Sequence, residues 1–199
     1  MYTPDLSTCV GILLAAGAGS RFRQAGGTTH KLQALLPTGQ TVAVQSALHL
    51  RDATGAVLAM VAADDALLSC QLTDVGCTVI AAPAVDAGMG ATLAAAAAWL
   101  QVRAPRATHA LVALADMPWI SRQTLHAVAG ADRAHPVVAP SHAGRRGHPV
   151  RFARSLWPEL AALTGDTGAR AVLARHPPHA IEVDDPGVLR DVDLPADLL

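Results

Sequence analysis

Residues Val10 to Lys31 read VGILLAAGAGSRFRQAGGTTHK, an apolar run that stops in a Gly/Ala/Ser loop and is followed by arginine and, further on, lysine. Val10, Gly11, Ile12, Leu13 and Leu14 read as a buried strand. Ala15 to Ser20 carry side chains small enough for several backbone N–H groups to face one bound anion. Arg21, Arg23 and Lys31 then supply positive charge, so the layout suits a polyphosphate. Two common phosphate loops are excluded by spacing. A dinucleotide fingerprint begun at Gly17 needs glycine where Phe22 stands, and a Walker loop needs GK[ST], whereas Lys31 lies between His30 and Leu32.

Working outward, apolar runs at Val57 to Ala62, Thr78 to Ala82, Ala110 to Ala115 and Val137 to Ala139 alternate with helical patterns near Val42 to Arg51, Ala91 to Val102 and Ser121 to Ala129. This order predicts an α/β chain, 1–199 as a single domain, with one doubly wound and mainly parallel sheet. Ligands of such sheets bind beyond the carboxyl ends of the strands. The run from His109 ends there in Asp116-Met-Pro-Trp119, and a carboxylate so placed can reach a metal; a cap or turn role for Asp116 is the plainer alternative.

With 51% hydrophobic and 16% charged residues, the 199-residue chain can fill a core and is not expected to be disordered. A formal net charge of -1 gives no support for a nucleic-acid surface. Residues 1–9 contain Asp5 and neither lysine nor arginine, which argues against a secretory leader. The longest nearly apolar stretch, Ala87 to Leu100, is too short for a bilayer, so a soluble cytoplasmic protein with no membrane partner is expected. Cys9, Cys70 and Cys77 form no CxxC and are expected to be buried thiols; the nine histidines show no compact zinc pattern.

Leu14-Ala15-Ala16-Gly17-Ala18-Gly19-Ser20-Arg21-Phe22 followed by Lys31 resembles the LAAGxGxRF...K signature of nucleotidyltransferases that consume a nucleoside triphosphate and release pyrophosphate. Asp116-Met-Pro is similar to their DMP or DQP element, whose aspartate binds Mg²⁺. Leu189 to Leu198 resembles their DIDTPEDL element, which implies a second metal carboxylate at Asp193, ahead of Asp191. Leu194 and Ala196 replace the threonine and glutamate of that element. Gly147-His148-Pro149-Val150-Arg151-Phe152 resembles GHPxxF, and Gly165-Asp166-Thr167-Gly168-Ala169-Arg170 resembles GDxGAR, of the molybdenum cofactor cytidylyltransferases. Gly88 to Leu93 is similar to their GMSSSL element; here Gly90 and Ala91 replace two serines and Thr92 keeps a hydroxyl.

The resemblance implies a Rossmann-like nucleotidyltransferase fold. It also implies transfer of CMP from CTP to molybdenum-loaded molybdopterin, with an apo molybdenum hydroxylase as a possible recipient of the product. Guanylyl relatives show LAGG where this chain has Leu14-Ala15-Ala16-Gly17, and an extra β-carbon beside the base narrows the room for a purine. On this reading Arg21, Lys31 and Asp116 are the catalytic set. Leu14, Ala15, Ala16, Gly17, Gly19, Ser20 and Thr92 meet the nucleotide, and Asp116 with Asp193 holds Mg²⁺. His148, Asp166 and Arg170 face the second substrate, with a structural role for His148 the equal alternative. Asp166 and Arg170 would share one side of a helix beginning there. The stretch from Gln24 to His30 is long, and is expected to order when the nucleotide binds. Two other readings stay open: transfer to another phosphorylated acceptor, and a non-catalytic carrier of the molybdenum cofactor.

Overall fold

A computed structural model of the chain describes residues 8–199. Residues 1–7, which carry most of the expectation that there is no secretory leader, lie outside the described residues. β1 (Cys9–Ala15) lies between β2 (Val57–Val61) and β4 (His109–Leu114), and β3 (Thr78–Ala81) continues the parallel set beyond β2. The other side of β4 adds β7 (Val150–Ala153) and then β5 (Val137–His142), with β6 (Arg145–Arg146) and β8 (His179–Glu182) both paired to β5. Only β6 and β7 run against the rest, so the sheet is mixed but mainly parallel, as the alternating runs predicted. The reversal falls in GHPVRF, whose short strand has no apolar run long enough to announce it.

Alternation along the strands produces two cores. Leu13 and Leu111 face one side with Leu50, Leu68 and Val128, whereas Ile12, Ala110 and Val112 face the other with Leu93, Leu100 and Trp157. The first layer holds α2 (Val42–Thr54), α3 (Ala66–Asp74) and α5 (Arg122–Ala129); the second holds α4 (Gly88–Arg103), α6 (Trp157–Ala161) and α7 (Arg170–Arg175). Gly11 lets α2 press on β1, since a Cβ there would lie 2.8 Å from Leu50 Cγ. Among the described residues no helix is long and apolar enough to cross a membrane.

Cys9 and Cys77 are buried, and burial pushes the Cys9 thiol up to about 12. Cys70 is exposed, contrary to expectation, because Leu68 and Leu72 take the inward positions of α3 and leave Cys70 on its outer face. Arg151, inside GHPVRF, is fully buried in β7, and its guanidinium donates to the carbonyls of Ala131 and Asp132, the latter at 2.7 Å. His109 starts β4 nearby, with Nδ1 2.9 Å from the Thr108 hydroxyl. Burial, followed by the charges of Arg151 and Arg133, lowers its pKa to about 4.

The depressed His109 pKa has a defined sign. The unfolded chain takes up the proton near the ordinary value of 6.5, the folded chain only near 4, so folding stability falls as pH drops through that window. The loss is at most about 3 kcal/mol. Urea titrations at pH 7 and pH 4.5 should show a smaller acid loss for His109→Gln than for the native chain.

Candidate active site

At the carboxyl end of β1 the chain leaves the sheet at Ala15, and Gly19 turns it into α1 (Ser20–Gln24) with φ 61°, a conformation that glycine adopts without strain. His30, which the sequence reading passed over, braces this loop: its Nε2 lies 3.0 Å from the Gly17 carbonyl oxygen, and its Nδ1 accepts the Leu32 N–H. The connection from Gln24 to His30 folds back on α1. The Gly27 N–H donates to the Phe22 carbonyl, and a Cβ at Gly27 would collide with the Phe22 ring.

Lys31 then enters a short 3-10 turn (Lys31–Gln33) and is only 8% exposed. Its Nζ donates to Asp116 at 2.6 Å and to Asp193 at 3.2 Å. Burial alone would depress this ammonium, but the charge of Asp116 and the hydrogen bonds to both carboxylates outweigh it and raise the pKa. Asp193 also pairs with Arg21, whose side chain is otherwise 76% exposed. Burial would raise the Asp193 carboxyl, yet bonding to Lys31 and Arg21 holds it below its ordinary value.

Asp116 follows β4, and 76 residues later the chain returns beside it: the Val192 N–H donates to the Asp116 carbonyl at 2.8 Å. Asp191 and Asp193 flank the buried Val192, and oxygens of Asp116, Asp191 and Asp193 all lie within 4.8 Å of one another. Asp191, ranked behind Asp193 from sequence, is therefore a full member of the cluster. Burial and then the charges of Asp193 and Asp116 raise its pKa, the response of like charges forced together. Asp197 shapes this stretch by accepting the N–H groups of Asp193 at 3.0 Å and Leu194 at 2.7 Å. Three converging hard oxygen donors suit a divalent cation.

Two cavities meet at this point. The smaller, about 150 Å³, is lined by Leu14, Ala16, Gly17, Lys31, Gly88 and Met89, with Thr92 and Asp116 on its wall. Thr92 donates its hydroxyl to the Gly88 carbonyl at 3.2 Å, leaving the oxygen only as an acceptor. The larger, about 450 Å³, shares Leu14, Met89 and Leu114 with the first and brings Arg146 of β6 and His148 of GHPVRF against Asp166 and Arg170 of GDTGAR. Ala15 lies on the opposite side of the loop, in a polar hollow with Arg23, His30, Asp64 and Asp65; Gly19 and Ser20 line neither of the two joined cavities.

The GDTGAR turn is packed on the start of α4. The Gly90 N–H donates to the Gly165 carbonyl at 2.7 Å, and a Cβ at Gly90 would lie 2.7 Å from the Thr164 oxygen, which is why the glycine substitution in GMGATL matters here. Asp166 and Arg170 do not sit on consecutive helical turns as expected. α7 begins only at Arg170, because Gly165 and Gly168 take positive φ and hold Asp166 in the turn ahead. Burial depresses the His148 pKa; the Asp116 charge opposes this and Arg146 adds to it. Its Nδ1 is buried without a hydrogen-bond partner among the described residues.

The sequence model of the MobA-like NTP transferase domain matches residues 11–180. Among solved structures, the Mycobacterium tuberculosis protein Rv0371c is 28% identical, with 96% of each chain covered and a TM-score of 0.79. A complex of that protein with manganese is similar at 26% identity, 96% and 95% coverage, and TM-score 0.75. A nucleotidyl transferase from Methanothermobacter, 20% identical with 96% and 94% coverage and TM-score 0.78, shares the fold. A curated relative, nicotine blue oxidoreductase of Paenarthrobacter nicotinovorans, is 28% identical over 205 residues, covering 97% of this chain and 96% of its own. With the family's pattern running through most of its length and its loop, lysine and carboxylates gathered at one switch point, the chain belongs to the MobA-like NTP transferase domain family, nucleotidyltransferases acting on an NTP.

Proposed function

We propose that the chain, 1–199, works as a single nucleotidyltransferase domain that transfers CMP from CTP to molybdenum-loaded molybdopterin, giving molybdopterin cytosine dinucleotide and pyrophosphate. The observation that carries the transfer chemistry is the convergence of Lys31 with Asp116, Asp191 and Asp193 beside the β1 loop. The choice of acceptor rests on GHPVRF and GDTGAR, which resemble cytidylyltransferase motifs and line one cavity together.

On this reading the backbone of the β1 loop, Arg21 and Lys31 bind the triphosphate. Asp116, Asp191 and Asp193 hold Mg²⁺, a group their oxygen donors fit and whose counterpart manganese occurs in a complex of a 26% identical relative. When bound, such an ion neutralises charge on the triphosphate as pyrophosphate leaves. An oxygen of the acceptor phosphate forms a bond to the α-phosphorus as the bond to the bridging oxygen of the β-phosphate breaks. That phosphate is already ionised near neutral pH, so no strong base is needed. Positioning and charge neutralisation supply the catalysis. His148, Arg146 and Arg170 then serve to seat the acceptor. The β-carbon of Ala16, which lines the smaller cavity, favours a pyrimidine base, whereas Ala15 faces away from it.

A second reading, reduction of an organic acceptor, is favoured by the likeness to nicotine blue oxidoreductase. The gathered carboxylates and the lack of a dinucleotide fingerprint, with Phe22 in place of its glycine, weigh against it. The protein incubated with molybdenum-loaded molybdopterin, Mg²⁺ and each of the four nucleoside triphosphates separately should yield a dinucleotide by mass with CTP. Oxidation of a reduced nicotinamide cofactor with no nucleoside triphosphate consumed would support the reductase instead, and ligand binding without turnover would support a carrier.

Asp116→Ala should lower pyrophosphate release at least about 10²-fold, the usual scale for a principal electrostatic group; near-normal turnover would remove it from the site. Lys31→Ala should raise the CTP concentration needed for half-maximal rate as well as slow turnover, checked by steady-state kinetics across a CTP series.

A further inference from the structure

Asp185 is the only buried aspartate or glutamate among the described residues, at 8% exposed, and it lines neither joined cavity. No cation pairs with it among the described residues. Three N–H or O–H donors hold it instead. The Ser121 N–H donates to Oδ2 at 2.9 Å, the Thr124 hydroxyl to the same oxygen at 2.7 Å, and the Gly187 N–H to Oδ1 at 3.0 Å. A carboxylate taken out of water in this way is costly unless every donor stays in place.

What these donors join is specific. Ser121 and Thr124 form the capped start of α5, five residues beyond Asp116. Gly187 belongs to a 3-10 turn (Pro186–Leu189) that leads directly into Asp191 and Asp193. The fit is tight, since a Cβ at Gly187 would collide with the Trp119 carbonyl oxygen. The same turn offers the Val188 carbonyl to the His148 N–H at 3.0 Å, and a Cβ at Gly147 would collide with that carbonyl. One turn therefore mounts two carboxylates of the cluster on one side and the His148 loop on the other. The residues between the turn and Asp193 form no helix or strand of their own. Besides the Val192 bond to Asp116 and the Asp197 carboxylate, no regular element sets their direction, so their placement depends also on where the turn is anchored.

We propose that Asp185 is a positioning residue: by tying the 3-10 turn to the start of α5 it sets Asp191 and Asp193 against Asp116. The inference rests on the reading of these three as a divalent-cation site. Asn at 185 presents an amide N–H where a carboxylate oxygen now accepts, so it cannot satisfy all three donors. Outer groups that orient metal ligands typically affect affinity by about 10- to 100-fold.

Mn²⁺ binding to the full chain, followed by loss of the free-ion electron paramagnetic resonance signal, tests this without depending on any acceptor. Asp185→Asn should bind Mn²⁺ at least about 10-fold more weakly than the native chain. Leu72→Ala, a core substitution on α3, should bind like the native chain although it is less stable. Native-like affinity in Asp185→Asn, or an equal loss in both variants, overturns the inference. Where Asp185→Asn does not fold, Thr124→Val removes a single donor and should give a smaller loss in the same direction; unchanged binding there overturns it too. A native chain that fails to bind Mn²⁺ with or without CTP overturns the metal reading itself, a result distinct because it precedes any substitution.

Discussion

Three carboxylates within 4.8 Å of one another repel, and the site exists because other charges and bonds offset that repulsion. The nearly buried Lys31 ammonium bridges Asp116 and Asp193, and Arg21 adds a second cation to Asp193. The consequence appears in the titration of the group left without its own cation. Asp191 is pushed up, while Asp193, which receives both cations, is pushed down.

The rest of the architecture serves to bring distant pieces of chain to this point. Parallel strands β1 and β4 lie side by side and end together, so the phosphate-loop segment and Asp116 emerge at one edge. The other parts arrive by close backbone approach. Gly90 admits the GDTGAR turn, Gly147 admits the 3-10 turn before Asp191, and Gly187 fits under Trp119. Each contact needs a residue without a β-carbon, and together they hold segments far apart in sequence against one another.

Much of this was legible without coordinates. Continuous apolar runs mark strands covered by a helical layer on each face, so the strands and the parallel order could be read from Val10–Leu14, Val57–Ala62 and Ala110–Ala115. The loop and Asp116 followed because small residues and charges sat at strand ends. Less was legible where conformation depends on distant partners. The reversed strand β7 has a two-sided environment, with Arg151 buried by carbonyls that no local pattern announces. Cys70 looked like its two companions until the register of α3 turned it outward.

By itself the sequence determined the class of fold, the loop that suits a polyphosphate and the carboxylate at the end of β4, because local periodicity and strand-end chemistry are properties of neighbours along the chain. Only the tertiary structure decided that Asp191 joins Asp116 and Asp193, that Lys31 faces both Asp116 and Asp193, and that Asp185 anchors the turn leading to them. Those depend on hydrogen bonds spanning 61 to 172 residues, such as Thr124 to Asp185 and Arg21 to Asp193, and no spacing in a one-dimensional chain encodes which of sixteen acidic residues will meet.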